Sequence, residues 1–143
     1  TPLYSSAASD VYKRQGLELL AMILADVGQH GAALRRAEAA LALEPTSPQL
    51  CCLVARIYED MGDLALAKKW LKRALYLDAQ MIEALMGLGA IYANEGHTGR
   101  SRRIYDSARR LLLAAPGPML AWHGGERPIA ALLTEIDRIC PSP

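Results

Sequence analysis

Three glycines at a fixed spacing constrain this chain more than any other feature. Gly28, Gly62 and Gly96 follow one another at intervals of 34 residues, and apolar residues at helical spacing, such as Leu20 and Leu24, precede the first of them. A helix commonly ends with a residue in the left-handed conformation, which glycine adopts without steric cost. The period therefore predicts repeated units of helix, turn and helix.

Small side chains follow each glycine at equivalent positions. They are Ala33, Ala67 and Ser101, and then Ala40, Ala74 and Ala108. Small residues at these positions allow the second helix of each unit to pack closely on the first. Ser47 followed by Pro48 is typical of a helix start and marks the beginning of the second unit.

Composition narrows the class of protein further. The 143 residues include 24 Ala and 23 Leu, which favour helix, and the formal charge is +1. This balance argues against a chain-wide nucleic-acid binder, and no apolar run has the length of a membrane span. The three histidines are scattered, and Cys51, Cys52 and Cys140 form no disulfide framework or metal-ligand spacing. We therefore expect a non-catalytic cytoplasmic chain without metal or cofactor.

The repeat carries a family resemblance. Leu85, Leu88-Gly89, Tyr92, Gly96, Tyr105 and Ala108 occur at the offsets of the tetratricopeptide (TPR) signature. Residues 14–115 thus resemble three tandem TPR repeats, which implies an all-α fold, an α-α superhelix. We therefore expect TPR units at 16–47, 48–81 and 82–115, followed by a linker at 116–127 and a closing helix at 128–140.

The first fifteen residues are interpreted separately. Residues 10–15, DVYKRQ, resemble the in-frame translation of a sequencing-library adapter, and the alternative is an ordinary polar arm. On either interpretation we expect residues 1–15 to be unstructured and the natural protein to be longer.

The resemblance also implies a binding groove, because the first helix of each TPR pair lines the concave side. The predicted groove residues are Glu18, Met22, Asp26, Gln49, Cys52, Arg56, Asp60, Glu83, Met86, Ala90 and Asn94. This set is apolar and acidic, whereas the second helices are strongly basic. We therefore expect the groove to bind a basic or amphipathic segment of a partner protein. The two-carboxylate clamp for chaperone tails is disfavoured, because its offsets hold acidic and apolar residues such as Glu83.

A narrower resemblance covers Lys72 to Gly96, KRALYLDAQMIEALMGLGAIYANEG. This segment resembles the TPR region at the C-terminal end of some CheR-type chemotaxis methyltransferases. The resemblance implies a bacterial regulatory or docking arm, attached to an S-adenosylmethionine-dependent enzyme that lies outside this sequence. The alternative is a stand-alone TPR scaffold or a secretion-type chaperone. The partner and the oligomeric state remain open at this point.

Overall fold

The computed structural model describes residues 3–141, and their side chains from residue 8 onward. The chain divides into two compact units, the first ending at Leu77 and the second beginning at Asp78. The helices of the first unit are α1 (Leu3–Asp26), α2 (His30–Leu43), α3 (Pro48–Asp60) and α4 (Leu64–Leu77). The elements of the second unit are α5 (Ile82–Asn94), α6 (Thr98–Ala114), β1 (Met119–Trp122), β2 (Gly125–Pro128) and α7 (Ile129–Ile139).

The periodic glycines end helices in the predicted way. Gly28, Gly62 and Gly96 have φ angles of 85°, 84° and 83°. At the first of them, the Gln29 N–H donates to the Leu24 carbonyl at 2.9 Å, and the other two turns have the same bond pattern. This is the Schellman arrangement, which satisfies carbonyls that the helix end leaves free. The 34-residue period therefore corresponds to a repeated three-dimensional turn.

Packing in the first unit follows the pattern of small residues. Ala33, Ala37 and Ala40 are fully buried between α2 and its neighbours, together with Leu50 and Ile57 of α3. Ser47 caps α3, because its hydroxyl oxygen accepts a hydrogen bond from the Leu50 N–H at 3.2 Å. The predicted helix start at Ser47 and Pro48 is confirmed.

The core of the second unit depends on one close contact between α5 and α6. Gly89 lies against the ring of Tyr105, which is 1% exposed. Ser101, which replaces alanine in the repeat, donates its hydroxyl hydrogen to the Gly89 carbonyl at 2.9 Å. The buried hydroxyl is thereby satisfied, so the substitution fits the helix pair without an unpaired polar group.

The segment predicted as a linker, residues 116–127, contains a β-hairpin instead. Strands β1 and β2 pair antiparallel, with Trp122 opposite Gly125. The two turn residues, His123 and Gly124, have φ angles of 45° and 79°. Positive φ at both central positions is the type I′ geometry that matches the twist of a hairpin. The predicted linker therefore contains regular structure, because two of its residues form the tight turn of a hairpin.

Helix α7 follows the hairpin directly, at the place predicted for the closing helix. Ile129, Leu132 and Ile136 form its buried face. Arg109 of α6 donates hydrogen bonds to Asp137 at 2.9 Å and to the Cys140 carbonyl at 3.0 Å. These bonds fasten the end of α7 to α6.

The N-terminal region differs from the predicted unstructured arm. Helix α1 begins at Leu3 and continues without a break to Asp26, while residues 1 and 2 of the predicted arm lie outside the described residues. No proline or glycine interrupts residues 3–15, and Arg14 forms ion pairs with Glu18 at 2.9 Å and Glu44 at 2.7 Å. Within residues 3–141, helices long and apolar enough to cross a membrane are absent.

Candidate functional site

Two helices of the first unit bring predicted groove residues together. Asp26 ends α1 and Arg56 lies in the second half of α3, and their Oδ1 and Nη2 atoms are 3.8 Å apart. The Asp26 side chain is 73% exposed, whereas that of Arg56 is 24% exposed. A partly buried cation and an exposed carboxylate therefore lie side by side on one face of this unit.

The Arg56 guanidinium retains unused hydrogen-bonding capacity. Its Nε and Nη2 atoms are buried, and within the described part of the chain they have no hydrogen-bond acceptor. A guanidinium has five N–H donors in a fixed fork, and a buried donor left unpaired costs about 1–3 kcal/mol. Both atoms are inaccessible to solvent, so a ligand could contact Arg56 only through the remainder of its side chain, which is 24% exposed.

Four other predicted residues of the first unit differ in their burial and in their contacts with the rest of the chain. Glu18 is held by Arg14, which offsets its charge. Met22 is half-buried and packs against the core. Gln49 is exposed, with its Oε1 accepting a hydrogen bond from the Ser47 hydroxyl at 3.3 Å. Asp60 is exposed at the end of α3. We name these four residues, together with Asp26 and Arg56, the Arg56 face.

Two predicted groove residues are buried instead. Cys52 is 2% exposed and Met86 is 5% exposed. A free cysteine behaves as a small hydrophobic side chain, and methionine fills irregular gaps in a core. Helix α3 buries every residue from Leu50 to Ala55, so its buried surface is wider than the single face that the repeat register assigns to packing. Neither side chain is available to a ligand at an open surface.

In the second unit the hairpin engages a predicted groove residue. The Nδ1 atom of His123 pairs with Oε1 of Glu83, whose side chain is 15% exposed. Residues Gln80 to Glu83 and Leu120 and Ala121 of β1 line a pocket of about 170 Å³. Glu83 is thus already partnered by a residue of this chain. The other two predicted residues, Ala90 and Asn94, are half-buried and exposed respectively.

Sequence reasoning missed His123, because it was interpreted as a linker residue. The only available signal was His123-Gly124-Gly125 between two short segments compatible with strands. Reasoning also missed Arg14 and Glu44, which anchor α1, because residues 1–15 were set aside.

Metal-ligating and nucleophilic side chains are either dispersed or buried in the described residues. Among them, groups of three or more His, Cys, Asp or Glu side chains that could hold a metal ion are absent. Cys51, Cys52 and Cys140 are buried, and none of these three is in a disulfide. Burial raises the pKa of the Cys51 thiol, and nearby Arg73 lowers it by a smaller amount. A buried thiol with a raised pKa is a poor nucleophile.

Comparison with known proteins agrees with the repeat. Residues 48–81 match the family model of the tetratricopeptide repeat. The type III secretion translocator chaperone SycD of Yersinia enterocolitica superposes with a TM-score of 0.75, at 14% identity over 88% of this chain and 87% of its own. The first TPR of Spaghetti (RPAP3), bound to the HSP90 peptide SRMEEVD, gives a TM-score of 0.69 at 16% identity, over 92% and 95% of the two chains.

A curated human protein shares sequence with part of the chain. Protein O-mannosyl-transferase TMTC1 of Homo sapiens is 38% identical over 58 residues, which is 41% of this chain. The match spans 6% of the human protein's length. The solved structures and the repeated turns together confirm the predicted all-α fold class, an α-α superhelix, and residues 48–81 within it match a tetratricopeptide repeat.

Proposed function

We propose that the first unit binds a segment of a partner protein on the Arg56 face. The observation that carries this proposal is the pair of Asp26 and Arg56, in which a 73% exposed carboxylate lies 3.8 Å from the guanidinium of a side chain that is 24% exposed. Solved structures similar in fold include complexes with peptides: SycD with a peptide of the translocator YopD, and the second TPR domain of human RPAP3 with an HSP70 peptide. Peptide binding is therefore compatible with this fold.

The residues of the face specify the chemistry of the ligand. Asp26 and Asp60 present exposed carboxylates, which favour lysine or arginine side chains. Met22 offers an adaptable apolar contact. Arg56 donates to a backbone carbonyl of the ligand, because a free carboxylate would also face the two aspartates. We therefore propose a segment that combines basic and apolar residues, unlike the acidic HSP90 peptide SRMEEVD bound by the RPAP3 domain.

A peptide-display selection against the purified chain tests this proposal. We expect the selected peptides to be enriched in Lys, Arg and apolar residues, and their binding to weaken as salt rises from low to high concentration. Arg56→Met and Asp26→Asn should each weaken binding about tenfold, since each removes a charge-assisted contact. The matched control is Arg102→Gln on α6, where an exposed charge lies outside the face.

Two results would contradict the proposal. One is a set of selected peptides dominated by acidic residues. The other is binding that survives the Arg56→Met and Asp26→Asn changes but is lost with Arg102→Gln. Unfolding curves of Asp26→Asn and Arg102→Gln should coincide with that of the parent chain within about 0.5 kcal/mol, as for surface changes. Arg56→Met should be no less stable than the parent chain, because it removes two buried donors that have no acceptor.

For the parent protein we propose a CheR-like chemoreceptor methyltransferase in which this chain is a regulatory or docking arm. The support is the resemblance of residues 72–96, KRALYLDAQMIEALMGLGAIYANEG. Sequencing the native gene upstream of the Gly16 codon tests it: an in-frame domain that binds S-adenosylmethionine is expected. A start codon close to Gly16 would refute this context and leave the binding proposal intact.

A stand-alone scaffold or secretion-type chaperone is the second candidate. One observation favours it: the type III secretion translocator chaperone SycD superposes on 88% of this chain with a TM-score of 0.75. A chaperone of this kind should hold an aggregation-prone client in solution when the two are expressed together. A methyltransferase arm should have no such effect.

A further inference from the structure

Helix α1 is apolar on two opposite faces. One face supplies Ala21 and Ala25 to the core of the first unit. The other face is exposed and carries Tyr12, Leu19, Leu20 and Ile23, with exposures of 74%, 58%, 39% and 51%. Val27, which directly follows the last helical residue, extends this face and is 64% exposed. Positions 12, 16, 19, 23 and 27 recur every three or four residues, which places them along one side of a helix. We name this exposed set, together with Gly16, the α1 stripe.

The repeat shows what kind of surface the α1 stripe is. One period further along the chain, Leu53, Val54 and Ile57 of α3 correspond to Leu19, Leu20 and Ile23. Those three residues of α3 are buried, with exposures of 4%, 0% and 0%, in the core that α2 and α3 share. The equivalent face of α1 is uncovered by the described chain. A helix that is apolar on both faces is normally buried between two partners.

We propose that the α1 stripe binds the α1 stripe of a second copy of this chain, with the two helices antiparallel. The stripe is self-complementary about a midpoint between Leu19 and Leu20. A twofold axis through that midpoint brings Leu19 of each copy next to Leu20 of the other copy. Gly16, which has no atom within 4 Å of the place where a Cβ would stand, then faces Ile23 of the other copy.

The pairing of a small with a large residue allows the two helix axes to approach closely. Tyr12 lies opposite Val27 at each end, so the apolar contact continues along the helix. The contact is isologous, as expected for a closed dimer. Its centre, Leu19 to Ile23, lies beyond the first fifteen residues and does not depend on them.

The interface is small, which sets the expected affinity. Six residues per copy form the stripe, against roughly 20–30 per side in a standard stable interface. We therefore expect dissociation in the micromolar range. Sedimentation velocity over concentrations that bracket this range should show a shift from monomer to dimer. Ile23→Glu should raise the dissociation constant at least about tenfold, because it places a carboxylate in an apolar contact.

A matched control separates the stripe from general surface hydrophobicity. Leu113 on α6 is 68% exposed and lies outside the stripe. Leu113→Glu should leave the dimer unchanged. Both substituted side chains are exposed in the single chain, so both variants should fold.

Cysteine cross-linking tests the antiparallel arrangement, because the three native cysteines are buried. Leu19→Cys lies beside the twofold axis, where two Cα atoms are close enough for a disulfide, within about 7 Å. Val27→Cys lies about 22 Å from its counterpart at 1.5 Å per residue. We expect the first variant to form a dimeric disulfide and the second not to.

Three results would overturn this proposal. If the chain stays monomeric throughout the concentration series, the α1 stripe does not bind a second copy. A dimer that Ile23→Glu does not weaken is formed elsewhere. Self-linking of Val27→Cys as readily as Leu19→Cys excludes the antiparallel arrangement.

Discussion

Replacing Gly89 by alanine should destabilise this protein, although alanine is the better helix former. A Cβ at position 89 would stand 3.0 Å from the Cε2 and Cζ atoms of Tyr105 and 3.2 Å from its Cδ2. These distances are shorter than ordinary van der Waals contact. Tyr105 is 1% exposed, so its ring has little room to move away.

Two opposing contributions set the size of this effect. Inserting a methyl group into a well-packed core costs roughly 1–3 kcal/mol. Alanine recovers about 1 kcal/mol through its helix propensity and through the smaller entropy of the unfolded chain. We therefore expect a net loss of up to about 2 kcal/mol in the free energy of unfolding.

Urea denaturation followed by circular dichroism measures this change as a shift of the midpoint at constant slope. Gly16→Ala is the matched control, because Gly16 is also helical but has nothing within 4 Å of its added Cβ. In dilute protein this control should gain up to about 1 kcal/mol. If Gly89→Ala were as stabilising as Gly16→Ala, the close packing of α5 on α6 would be refuted.

Three further predictions concern buried side chains. Ala67 is fully buried, so Ala67→Arg should lower the free energy of unfolding by about 2–4 kcal/mol in the same urea assay. A change under about 0.5 kcal/mol would refute the repeat register. Burial raises the pKa of Tyr105 from 10.0 to about 12. The neutral phenol therefore stabilises the fold below pH 10 by an amount of order 2–3 kcal/mol, and this contribution is lost as pH rises through about 12. Tyr105→Phe should remove the part of the stability loss near pH 12 that Tyr105 causes. Identical pH profiles of stability for the two proteins would contradict the role of Tyr105. The native cysteines should react with a thiol reagent only at the rate of unfolding, since burial raises the pKa of Cys51, whereas immediate reaction would show an accessible thiol.

Local rules explain why most of the fold was predictable. The turn glycines, the buried alanines and the cap at Ser47 each act within a few residues, so their effect can be inferred from spacing alone. The hairpin depends on positive φ at His123, a residue that seldom adopts it, and the sequence there looks like an ordinary loop. The helical start of α1 was missed because Arg14 is anchored by Glu44, which is distant in sequence.

The candidate site was predictable only in part. The repeat register predicts on which face of a helix a residue lies, but it does not predict whether that residue is buried. The register placed Asp26 and Arg56 on one face, and the structure brings their side chains together. It also placed Cys52 and Met86 there, yet both are buried. The partnering of Glu83 by His123 depends on the hairpin and has no signal in the repeat.

The central claim is that the Arg56 face binds a protein segment. An NMR titration tests it most directly, by following the Arg56 Nε–H resonance while a basic, apolar peptide obtained by display is added. The account predicts that this resonance shifts on binding, together with backbone amides around Asp26 and Asp60, and that Asp26→Asn weakens the titration. An unchanged Arg56 resonance, with shifts confined to the arginines of α6, would contradict it.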